Sequence, residues 1–152
     1  MALTVEEAMA RLLACAEDAL DPKPGRSQIV PGAASAWDDC CESRGQLSVR
    51  LASYQPVYPE RQGAVPCGPL FYSARIGVEV VRCVSTVNDR GQAPSPAQVI
   101  ADSGRMVEDM NALRTALLCC ETVEGLQLES WEPAGPEGGC AGGEWIVRVR
   151  VM

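Results

Sequence analysis

The chain has 152 residues, 47% hydrophobic and 22% charged, with a net charge of −7, the balance of a soluble globular chain of one ordinary domain. It contains no histidine, which removes Ser-His-Asp and Cys-His catalysis, histidine-ligated zinc and the usual general base near neutral pH. The acidic balance argues against duplex nucleic acid as a tight ligand, since such binding rests on phosphate neutralisation by Lys and Arg. No apolar run approaches the ~20 residues of a membrane span.

The first segment, "MALTVEEAMARLLACAEDALDPKPG", is acidic and lacks a basic leader region, so synthesis in a cytoplasm is expected. Thr4 and Glu7 have the spacing of a capping box, and Val5, Ala8, Met9, Leu12, Leu13 and Ala16 form one apolar helical face. Asp21-Pro22 and Pro24-Gly25 end that helix. In "QLSVRLA", Leu47, Val49 and Leu51 alternate with Ser48 and Arg50, which predicts a half-buried strand. The preceding "AASAWDDCC" reads as the first arm of a hairpin, joined through "ESRG", where Gly45 can take positive φ.

The stretch "PVYPERQGAVPCGP" is a long Pro- and Gly-rich loop. After it, Leu70, Tyr72, Ala74, Ile76, Val78, Val80 and Val84 occupy even positions. Alternation sustained this far predicts a long strand at the centre of an antiparallel sheet. Ser95, Pro96 and Gln98 then open a helix of about six turns, with Val99, Ser103, Met106, Met110, Leu113 and Leu117 as its inward stripe. The chain closes with two strands around the glycine-rich "PAGPEGGCAGG", read as a mobile connection, with Trp145, Val147, Val149 and Val151 alternating against Ile146, Arg148 and Arg150. The fold class is therefore α+β: a mostly antiparallel or mixed sheet of about four to five strands with two main helices packed on it.

The eight cysteines invite a zinc reading, but the vicinal pairs Cys40-Cys41 and Cys119-Cys120 lack the usual two-to-four-residue ligand spacing. On a strand, Cys40 and Cys41 would also point to opposite faces. Asp38 and Asp39 diverge in the same way. A reducing cytoplasm disfavours disulfides, and no pairing follows from the sequence. One cysteine of each vicinal pair is expected in the core. "GGCAGG" lacks the lysine and the following helix of a phosphate loop. The expectation is no catalytic residue, no metal and no cofactor.

The succession "WDDCC…GQLSVRL", "PCGP…IGVEVVRCV", "LLCC" and "WEPAGPEGGCAGGEW" resembles a family of small proteins from tailed phages of actinobacteria. These are taken to be tail terminators, similar in role to those of lambda-like siphophages. The resemblance runs from Val30 onward and is most specific from Trp131 to Trp145. It implies one tail-terminator-like domain over residues 1–152, with a mixed sheet and helices packed on it. It also implies a homo-oligomer, a hexameric ring, that caps the tail tube at the head-proximal end of the virion after assembly in the host cytoplasm.

Its partners would be the major tail tube protein and a head-tail stopper or neck protein. DNA would pass through without specific binding, and no membrane is involved. Oxidation of the thiols once a particle leaves the cell stays open. Another head-tail connector is the alternative within this class; a Cys-rich metal or redox protein is the alternative from a different one. Tyr58, Arg61, Trp131 and Trp145 are the expected subunit or partner contacts, because aromatic and Arg side chains on loops and sheet edges anchor interfaces. Both tryptophans have core packing as an equal alternative.

Overall fold

The computed structural model describes residues 2–32, 40–58 and 71–152. In chain order these form α1 (Val5–Ala19), β1 (Arg26–Val30), β2 (Gln46–Val57), β3 (Phe71–Cys83), α2 (Pro96–Leu118), β4 (Gln127–Glu137) and β5 (Cys140–Val151). The strands make one mixed sheet in the order β1-β2-β3-β5-β4, with β1 parallel to β2 and the other neighbours antiparallel. The α+β class read from the sequence is the observed one.

Both capping boxes form. The Thr4 hydroxyl accepts the Glu7 N–H while Glu7 accepts the Thr4 N–H, and Ser95 and Gln98 repeat the exchange at the start of α2. Each box satisfies donors that a helix start leaves without an intrahelical partner. The even residues of β3 do face a core. Ala74, Ile76, Val78 and Val80 join Leu47 and Val49 of β2 and Val147, Val149 and Val151 of β5. Onto this surface α1 lays Ala8, Leu12 and Ala16, and α2 lays Leu113 and Leu117. At ~25 cal/mol per Å² of buried apolar surface, this layer is the main favourable contribution to folding.

Three expectations are corrected. First, the described neighbour on the outer side of β2 is not a hairpin partner. The strand that pairs with the outer side of β2 is β1, upstream, and it runs parallel to β2. A parallel neighbour cannot be reached by a tight turn. Residues 33–39, seven of the nine positions of the expected "AASAWDDCC" arm, lie outside the described residues, while Cys40 to Ser43 form a turn that leads into Gly45 at φ 105°.

Second, the glycine-rich C-terminal stretch is strand almost throughout. Its turn is only Gly138-Gly139, with φ 57° and 78°, closed by the Glu137–Cys140 pair. Two successive positive φ values match the right-handed twist of the flanking strands, which is why glycine is required at both. Third, the N-terminal half of α2 overhangs the sheet, so that Val99 and Ser103 of the expected inward stripe are exposed.

Candidate interfaces and the cysteine cluster

Two of the four nominated contact residues come together. Trp131 on β4 is the cross-strand partner of Trp145 on β5, and the rings meet edge to face at 5.7 Å. Both are half-buried against the core. Trp145 Nε1 donates to the Met110 carbonyl at 2.9 Å, fastening β5 to α2. The Trp131 indole lies over Gly143, where any Cβ would overlap it. Tyr58 follows the end of β2 and is 56% exposed, away from the tryptophans. Arg61 lies outside the described residues.

An apolar surface that the sequence reading passed over runs along α2. Ile100 is 71% exposed, Val107 49% and Leu118 60%. Each sits one residue after a member of the inward stripe, so the three lie along one line of α2, with Gly104, Asn111 and Arg114 between them. A second pass with the helical period displaced by one residue would have found it. Contiguous apolar surface marks a protein contact, whereas exposed apolar side chains standing singly are ordinary.

The sheet face turned away from the helices is built differently. Arg50 donates from Nε and Nη2 to Glu144 at 2.7 and 2.6 Å, and both side chains are largely buried. The pair meets above Gly77, whose missing side chain leaves the space that Glu144 fills. Beside it, Glu129 accepts from Arg75 at 2.7 Å and from Arg148 at 2.6 Å. The hydrogen bond from Arg75, aided by both guanidinium charges, holds the Glu129 carboxyl below its ordinary 4.5.

At one end of this face lie four cysteines. Cys83 and Cys140 are cross-strand partners of β3 and β5. The turn before β2 places Cys40 and Cys41 above them, giving disulfides Cys40–Cys140 and Cys41–Cys83. Val81 packs with Cys40 and Cys140 in a small cluster of its own. A third disulfide, Cys15–Cys120, ties α1 to the segment after α2. The reading that disfavoured disulfides is thus overturned. It rested on an assumed redox compartment, whereas strand register decides which thiols meet. The core expectation for the vicinal pairs does hold, since Cys40 and Cys120 are buried while Cys41 and Cys119 are exposed.

A cavity of about 340 Å³ opens beside the cluster, lined by Arg44, Arg82, Arg105, Asp21, Glu108 and Asp109 as well as by cysteines. Within it, Arg82 makes a two-point contact with Asp109 at 2.9 and 3.0 Å and also donates to the Pro22 and Arg44 carbonyls. This pins the turn before β2, the segment after α1 and α2 itself to one guanidinium. No model of a known protein family matches the chain, and no curated protein matches it.

Proposed function

We propose that the chain is a structural virion protein, a tail terminator. Its copies close into a ring, a hexamer, on the head-proximal end of the tail tube, stop polymerisation there, and offer a surface to the neck protein. What supports this reading is where the family-like segments meet. Arg50 from "GQLSVRL", Gly77 from "IGVEVVRCV" and Glu144 from "GGEW" form one ion-pair unit. The cysteines of "WDDCC", "VVRCV" and "GGCAGG" form one disulfide cluster. Segments distant in sequence resemble the family at the residues that hold one another in place, so the likeness follows a structural unit and not composition alone.

The surface chemistry is compatible with a ring. A net charge of −7 disfavours retention of DNA passing through a lumen. A closed ring needs heterologous contacts, in which one patch meets a different patch of the next copy. The stripe Ile100, Val107 and Leu118 is the patch assigned to that role, with a second copy of the chain as its occupant.

The test is mass in solution together with electron microscopy in the presence of the cognate tail tube. Rings seated on the head-proximal tube end are expected, and Ile100→Asp and Leu118→Asp should prevent them while the far-UV dichroism stays unchanged. Arg61→Glu should impair assembly in the same way. A strict monomer that leaves tube ends bare refutes the reading, and rings bound elsewhere in the neck assign the chain to another connector role.

A further inference from the structure

Two arguments from the sequence opposed a metal, the vicinal spacing of Cys40 and Cys41 and their divergence on a strand, and the structure removes the second. Cys40 and Cys41 lie in a turn. Their sulfurs converge on one atom, the Gly139 carbonyl oxygen, at 3.8 and 3.9 Å. Below them Cys83 and Cys140 stand opposite each other on adjacent strands, a position that sets β-carbons about 4.5–5.5 Å apart on one face. The Cα separations across the two disulfides are 6.1 and 4.5 Å. A tetrathiolate ion with Zn–S bonds of ~2.3 Å needs its sulfurs ~3.8 Å apart. With the disulfides intact, no group among the described residues could hold a metal ion; reduction frees each of the four sulfurs to turn about its own χ1.

We propose that, when both disulfides are reduced, Cys40, Cys41, Cys83 and Cys140 form a tetrathiolate site for one soft tetrahedral ion of the Zn²⁺ class. The disulfide and metal-bound states exclude each other, because the same four sulfurs serve both. The chemistry balances with a phosphine reductant. For each disulfide, phosphorus attacks one sulfur, the S–S bond breaks and the other sulfur leaves as a thiolate. Water then releases the first sulfur and leaves the phosphine oxide, so two electrons reduce each bond and two thiols result. The ion binds as it displaces the thiol protons.

Four thiolates around a divalent ion carry a net charge of −2. The adjoining cavity is lined by Arg44, Arg82 and Arg105 together with Asp21, Glu108 and Asp109, and Arg82 and Arg105 there pair with Asp109 and Asp102. Soft thiolate ligands and a closed four-coordinate geometry select Zn²⁺ over hard cations. The site is independent of the ring reading and would stand or fall without it.

The experiment reduces the full chain with a water-soluble phosphine and titrates it with Co²⁺, a spectroscopic substitute for Zn²⁺. Expected are the visible ligand-field bands of tetrahedral thiolate coordination, saturating at one ion per chain and abolished by excess Zn²⁺. The oxidised chain should show none. Cys41→Ser and Cys140→Ser should weaken binding on the order of 100-fold or more, beyond the loss seen when a supporting partner of a ligand is removed. Cys119→Ser and Cys15→Ser/Cys120→Ser should leave it unchanged.

Native mass spectrometry of the reduced chain with Zn²⁺ should show a single-ion adduct. If reduction unfolds the chain, the ion should restore its dichroism. Overturning results are absent thiolate bands while all eight cysteines react with a thiol reagent, bands that survive Cys41→Ser, or an unfolded reduced chain that the ion neither binds nor refolds.

Discussion

The two faces of the sheet reach stability by different means. The face under the helices is filled by volume: Leu12, Leu47, Ile76, Leu113 and Leu117 are fully buried and carry no polar atoms in their side chains. The opposite face is filled by pairing. There Gln46, Ser48 and Glu144 are buried beside Ile146 and Val81, and charge is tolerated because Arg50 and Glu144 neutralise each other. A volume-filled face tolerates substitutions of similar size. A paired face tolerates removal of both partners better than removal of one. The disulfides follow the same division, with Cys15–Cys120 on the helix side and the other two on the paired side.

The largest expected effect tests whether covalent closure matters equally on both sides. In the chain-entropy account, stabilisation grows slowly with the length of the closed loop. Cys15–Cys120 spans 105 positions and Cys41–Cys83 spans 42. Cys15→Ser/Cys120→Ser should lower the unfolding free energy by about 4–5 kcal/mol and Cys41→Ser/Cys83→Ser by about 4 kcal/mol, measured by denaturant titration without reductant. With reductant present and metal excluded, both variants should match the wild-type chain. A deficit that persists under reduction would assign the loss to packing.

Next in size is a direct contrast of the faces. Leu113→Ala and Glu144→Ala should each cost about 3 kcal/mol, the first by leaving a cavity and the second by leaving Arg50 buried and unpaired. Arg50→Met/Glu144→Leu should recover most of the second loss, because two apolar side chains replace the pair and no charge remains. Failure of that rescue would show that the pair fixes the geometry of the sheet and does more than neutralise charge.

A smaller effect probes the space over β3. Gly77→Ala should destabilise by about 2 kcal/mol through overlap with the Glu144 carboxylate. In a Glu144→Ala background the same change should cost far less, a non-additivity that a double-mutant cycle measures directly. Equal costs in the two backgrounds would place the strain in the backbone.

The volume-filled face was readable because its signals are local. Alternation over Leu70 to Val84 and the spacing of Leu12, Leu113 and Leu117 each lie within one element, and Thr4–Glu7 and Ser95–Gln98 are contacts three residues apart. The paired face was not readable, because Arg50 finds Glu144 across 94 positions and Cys41 finds Cys83 across 42. Strand β1 escaped for a related reason: five residues with little alternation owe their place to a parallel register that only β2 supplies. The interface nominations were limited by the same nonlocality. For Trp131 and Trp145 the sequence left partner contact and core packing as equal alternatives, because their contacts with Gly143 and the Met110 carbonyl lie on other elements.

The smallest effect concerns acid. Asp102 on α2 accepts the Ser85 N–H at 2.8 Å and pairs with Arg105. The backbone hydrogen bond from Ser85, with smaller help from Arg105, holds its carboxyl below the ordinary 3.8. A carboxyl depressed on folding contributes stability above its unfolded pKa, and that contribution is lost as the pH falls through the lower, folded value. Asp102 therefore steepens acid unfolding only below about pH 4. Asp102→Asn should flatten that limb of the stability curve and leave the limb above pH ~5 parallel to wild type. Because the loop after β3 is anchored to α2 by this carboxylate, hydrogen exchange at Ser85 should also accelerate in the variant at neutral pH. Unchanged exchange there would mean that the loop is held by other contacts.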